Sequence, residues 1–75
     1  MMHSDLKPWQ ARIVEEKREL DVKINRLEIF MNGAEFFALE KEDALLMNRQ
    51  LAHMKAYSGV LFERLDRLYL ESGNA

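Results

Sequence analysis

A chain of 75 residues with no Cys, one Pro and three Gly has room for one thin domain and no disulfide staple or thiolate metal site. Its 11 Lys and Arg against 13 Asp and Glu give a net charge of −2, which excludes a general attraction to nucleic acid, since that rests on cations neutralising phosphates. A core at this length rarely contributes more than about 3–5 kcal/mol, so regular helix packing or oligomerisation has to supply the rest.

Residues 1–32 carry six acids and six bases, residues 33–48 four acids and one base, and residues 49–75 three acids and four bases. An anion site is therefore local rather than a property of the whole surface. No apolar run approaches the roughly 18 residues of a membrane span. The segment MMHSDLKPWQ also lacks the apolar stretch of a signal peptide. A soluble, intracellular protein is the expectation.

In chain order, Pro8 suits the first position of a helix, where its missing N–H is not needed. Ser4 and Asp5 offer caps for a slightly earlier start. No Gly or Pro follows until Asn32-Gly33, which reads as a left-handed helix end. Ala34 to Leu39 reads as a turn or short helix, and Glu40-Lys41-Glu42-Asp43 as an acidic start to a second long helix, suited to the positive end of its dipole. Ser72-Gly73-Asn74 repeats the stop signal. Gly59 interrupts a helical pattern at a cost of about 1 kcal/mol against Ala, and so marks a close approach of another backbone or a ligand.

Ile13, Lys17, Leu20, Ile24, Leu27 and Met31 recur at alternating spacings of four and three, as do Met47, Leu51, Met54, Ser58, Leu61, Leu65 and Leu68. Each set is a seam of coiled-coil type. The predicted fold is all-α and a single domain over 1–75. It is an antiparallel hairpin of two long helices, 8–32 and 42–71, with a short helix or turn at 34–39 between them. This register puts Leu27 near Leu51, Ile24 near Met54 and Leu20 near Ser58. Charged pairs spaced four apart, such as Lys17 with Asp21, support the exposed faces.

Two stripes do not use up the apolar residues. Trp9, Val14, Val22, Ile29, Phe30, Phe36, Phe37, Leu46, Val60, Phe62, Tyr69 and Leu70 lie off the seams. Trp9 reads as an anchor near Leu68 and Tyr69, and Phe36-Phe37 as a lid over an end of the hairpin. The remaining apolar area points to homo-oligomerisation into a helical bundle.

Gln50, His53, Tyr57, Val60, Arg64 and Arg67 share a face beside the second seam, with Lys55 and Arg49 nearby. Tyr offers a ring for stacking and Arg a planar fork for phosphate. Lys17 sits in the seam, where a polar residue either fixes register or lines a pocket between helices. The same spacings also describe a solvated helix edge with Tyr57 packed at its margin. His53 lacks a nucleophile in a positioned relation to it, because Ser58 is five residues on. No Gly-rich phosphate loop or catalytic triad spacing is present. His3 and His53 are too far apart to form a recognisable metal motif. No catalytic residue, metal or cofactor is expected, and the chain does not read as an enzyme.

The ordered set Trp9-Gln10-Ala11-Arg12-Ile13-Val14-Glu15-Glu16-Lys17, Glu19-Leu20, Lys23, Leu27, Phe30, Phe36, Leu39, Leu45-Leu46, Gln50, Met54-Lys55, Tyr57-Ser58, Val60-Leu61 and Arg64-Leu65 resembles a family of small phage-encoded proteins related to a protein of a crAss-like phage. The resemblance covers about residues 9–68 and lies in the whole set, not in one motif. It implies a phage origin and action in the host bacterial cytoplasm, and it carries over no catalytic residues. By analogy with helical phage proteins that act as sponges for immune signals, the expected function is anti-defence. The protein would bind and sequester a nucleotide-type signal at subunit or helix interfaces, without catalysis. The ligand-binding candidates are Tyr57, Arg64, Lys55, His53, Gln50, Lys17 and Arg12. The rivals are an adaptor or inhibitor that docks an apolar face on a host protein, and a structural phage component. DNA binding ranks last because basic charge is not concentrated.

Overall fold

A computed structural model describes residues 7–73, with side chains through Leu68. The suggested caps Ser4 and Asp5, the anchoring neighbour Tyr69, Leu70, and Asn74 of the second stop signal lie outside these described groups. The chain forms helix α1 over Pro8–Met31, a single-turn α2 over Ala34–Phe37, and α3 over Lys41–Gly73. Among the described residues there is no strand. Both long helices begin and end within two residues of the boundaries read from the sequence.

The start of α1 follows from Pro8 at its first position and from Gln10, whose Oε1 accepts the Lys7 backbone N–H at 2.9 Å. Its end differs from expectation. Asn32 is right-handed (φ −96°, ψ −1°) and Gly33 is extended (φ −97°, ψ 168°), so the chain leaves the helix without a left-handed residue. The Asn32 Nδ2 donates to the Glu28 carbonyl at 2.9 Å, and the Gly33 N–H to the Phe30 carbonyl at 3.0 Å. These bonds satisfy the terminal carbonyls that a left-handed cap would have served. Gly33 thereby becomes the residue that opens α2.

The two long helices pack antiparallel along the seams predicted above. Ile13, Ile24 and Leu61 are buried, Leu61 completely, and the other apolar seam residues are half-buried. Full removal of a side chain such as Leu61 from water contributes about 1.5–3 kcal/mol, and the half-buried ones contribute less. At the turn end, Phe36 meets Phe30 edge to face at 6.5 Å, and Phe37 meets Phe36 at 5.8 Å. Only half of the expected lid forms, since Phe36 is half-buried while Phe37 is 77% exposed. Val14 and Phe30 are also half-buried at the margins of the seam.

The sequence's surplus of apolar residues is a surplus on the surface. Trp9, Val22, Ile29, Phe37, Leu45, Leu46, Tyr57, Val60 and Phe62 are all exposed, against three buried apolar side chains among the described residues. No described helix is long and apolar enough to cross a membrane.

Candidate functional site

The candidate residues divide between the two edges of the hairpin, on either side of the seam where α1 packs on α3. One edge holds a polar brace across the seam. Ser58 Oγ donates to Asp21 Oδ1 at 2.6 Å, and Lys17 Nζ donates to Ser58 Oγ at 3.0 Å and to Asp21 Oδ2 at 2.7 Å. Ser58 thus sits at the level of Leu20, between Lys17 and Asp21 on the facing helix. The Lys17 hydrogen bond, followed by that of Ser58, holds the Asp21 carboxyl below the usual carboxylate range. Further along the same edge, Lys55 Nζ pairs with Glu28 Oε2 at 2.6 Å.

Helical geometry puts the other candidates on the opposite edge. Residues two apart on a helix differ by about 200°, so His53 and Tyr57 point away from Lys55 and from its partner on α1. Gln50 and Arg64 continue the His53 and Tyr57 edge, each one or two turns away along α3. Gln50 Nε2 lies 3.8 Å from Met54 Sδ. Arg12 is about 180° around α1 from Asp21 and so lies on this second side. The hairpin therefore brings Gln50, His53, Tyr57, Arg64 and Arg12 to one side. It leaves Lys17 and Lys55 on the other, each already engaged with a carboxylate. A single chain does not gather all seven residues around one ligand.

The second edge ends in a feature that was not marked as a site in the sequence. Trp9, Ile13, Arg64, Arg67 and Leu68 line a hollow of about 300 Å³ where the start of α1 meets the end of α3. Trp9 is 47% exposed. Arg64 and Arg67 are exposed and one helical turn apart. Among the described residues, neither Arg12 nor Arg64 has a carboxylate within ion-pair distance. The signal was present in the register, which places Trp9 against Leu68 and hence beside the arginine one turn earlier. Larger hollows lie near the turn end: one of about 600 Å³ is lined by Glu42, Leu45, Leu46, Asn48, Arg49 and Ala52 and is almost wholly apolar. No group of three or more His, Asp or Glu suited to a metal occurs among the described residues.

Residues 7–67 match the Sequestin family over most of the hairpin, from the cap of α1 to Arg67 of the hollow. The chain belongs to the Sequestin family. It is also 35% identical over 57 residues to an uncharacterised 7.5 kDa protein encoded in the denB-rIIB intergenic region of Enterobacteria phage T4, covering 76% of this chain and 89% of the relative. The phage connection implied by the sequence stands on that relative, and the matches carry no crAss-like affiliation. No solved structure matches the chain.

Proposed function

We propose that this Sequestin-family protein captures a small nucleotide-type signal and holds it unchanged, as a phage anti-defence protein acting in the host cytoplasm. The observation that carries the reading is the second edge of the hairpin. It presents an exposed Tyr57 ring and an Arg64 guanidinium without an ion-pair partner among the described residues, with His53 and Gln50 as further polar groups. A ring and a guanidinium on one rigid helix face suit a heterocycle and a phosphate respectively. The family's name denotes sequestration, and the phage T4 relative supplies the setting. Holding a ligand needs no nucleophile or positioned base, and neither belongs to this proposal.

The reading includes self-association. Nine large apolar side chains are exposed against three buried among the described residues, an imbalance that a second copy would relieve. Assembly would also allow Lys17 and Lys55 of one copy to approach the Tyr57 edge of another.

Isothermal titration of the purified chain with cyclic dinucleotides and with ADP-ribose derivatives tests the proposal. Saturable binding of one class at micromolar or tighter affinity is the expected result. Absence of heat with every member of both classes overturns it. The exposed apolar face also suits docking on a host protein. A pull-down returning one stoichiometric host partner, alongside silent titrations, would put an adaptor in place of the sponge.

A further inference from the structure

The first turns of α3 carry an apolar patch that the hairpin leaves uncovered. Leu45 and Leu46 are 54% and 57% exposed, and together with Glu42, Asn48, Arg49 and Ala52 they line the hollow of about 600 Å³ near the turn end. Every residue lining it belongs to α3. At 100° per residue, Leu45 and Leu46 point about 100–160° away from the seam residues Met47 and Leu51, and so away from α1. Phe37 on α2, 77% exposed, lies at the same end of the hairpin. An apolar patch rimmed by charge is the surface a protein interface presents. The charges here are also symmetric. Glu42 and Arg49 are seven residues, or about 10 Å, apart on one face, and the midpoint between them falls between Leu45 and Leu46. Among the described residues neither has an ion-pair partner.

We infer that this patch is a contact between two copies of the chain, in which α3 of one lies antiparallel on α3 of the other about a two-fold axis between Leu45 and Leu46. The assignment rests on the self-association in the capture reading and fixes the face that carries it. In this register Leu45 meets the partner's Leu46 and Glu42 meets the partner's Arg49, and the symmetry makes each contact twice. A parallel arrangement sets Glu42 against the partner's Glu42 and Arg49 against the partner's Arg49, so repulsion between like charges selects the antiparallel one. Ala52 adds no bulk beside the leucines and lets the two helices approach. A second copy is the fitting occupant because the patch carries its own complement. An unrelated surface would have to offer two leucines flanked by opposite charges at the same spacing. The contact is isologous, so it closes on itself and does not propagate into a filament.

Sedimentation velocity of the full chain over a micromolar concentration series tests this contact. The substituted positions are exposed, and circular dichroism checks that each variant keeps its helix content. Leu46→Ala, whose loss counts twice per contact, should weaken association about 10- to 100-fold. Glu42→Arg and Arg49→Glu should each weaken it as well, because each turns two attractions into two repulsions. The expected signature is recovery: an equimolar mixture of these two single variants should associate as the wild type does, and so should the double variant Glu42→Arg/Arg49→Glu. Undiminished association in the single variants, or no recovery in the mixture and the double variant, would overturn this placement while leaving self-association through another face standing. A single-chain mass for the wild type would overturn both. If that single chain bound a host protein and lost it on Leu46→Ala, the patch would belong to the host partner instead.

Discussion

Replacing Ser58 with Ala removes the centre of the brace and nothing else. Two hydrogen bonds disappear, the 2.6 Å bond to Asp21 and the 3.0 Å bond from Lys17, while the 2.7 Å Lys17–Asp21 pair survives. Hydrogen bonds to charged groups contribute about 1.5–3 kcal/mol when water is kept out. Here Asp21 is 46% and Lys17 21% exposed, so water takes over part of each lost bond. The expected loss at neutral pH is about 1 kcal/mol, well below a fully buried case. The loss should depend on pH. The Asp21 carboxyl is lowered in the fold, so its contribution is present above the unfolded carboxylate range and disappears as pH falls through the folded value. Urea melts of both proteins at steps from pH 7 downward read this directly. The gap between wild type and Ser58→Ala should hold constant to about pH 4 and narrow below it. Equal stability at pH 7, or a gap that widens in acid, would refute the brace.

Lys17→Met should lower stability by about 1 kcal/mol in a thermal melt, because it removes both Lys17 bonds of the brace and leaves the half-exposed Asp21 carboxylate without its cation, and an unchanged or raised melting temperature would show that the brace contributes nothing. Gly59→Ala should raise stability by about 0.5–1 kcal/mol in a dilute thermal melt, since nothing lies within 4 Å of the added Cβ. If this substitution instead destabilises in a concentration-dependent way, the backbone at Gly59 is approached by another copy. Leu61→Ala should cost about 2–5 kcal/mol by urea denaturation, as Leu61 is the one completely buried side chain described. Lys55→Ala should change stability by less than about 1 kcal/mol, because its pair with Glu28 is 55% and 38% exposed. Light scattering at micromolar concentration should give a multiple of 8.9 kDa, and a single-chain mass would remove self-association from the proposal.

The sequence exposes the fold well because one signal dominates it. An apolar period of 3.5 over both long segments, with no competing strand alternation, defines the seams, and a short connection fixes their direction. Even the level of Ser58 against Leu20 follows, and Lys17 and Asp21 then become its neighbours. The position of α1's end was legible at Asn32-Gly33 but its backbone geometry was not, because residues that tolerate left-handed backbone also adopt right-handed and extended backbone. The choice was settled by the Asn32 side chain bonding back to Glu28. The site was only partly legible for a geometric reason. Proximity in sequence grouped Lys55 with Tyr57, yet a two-residue step turns a helix by about 200° and sends Lys55 to Glu28 on the far edge. The hollow at Trp9 was hidden for the opposite reason: its ring and its guanidiniums come from opposite ends of the chain, and only the antiparallel register joins them.

Capture without turnover is the claim on which the functional account stands. It is tested most directly by mixing the protein with a slight excess of a cyclic dinucleotide or of ADP-ribose, removing free ligand, heat-denaturing the protein and identifying what is released by chromatography. The account predicts stoichiometric recovery of the same nucleotide, chemically intact, after hours at working temperature. Release of a hydrolysed or rearranged product, or recovery of no nucleotide at all, would contradict it.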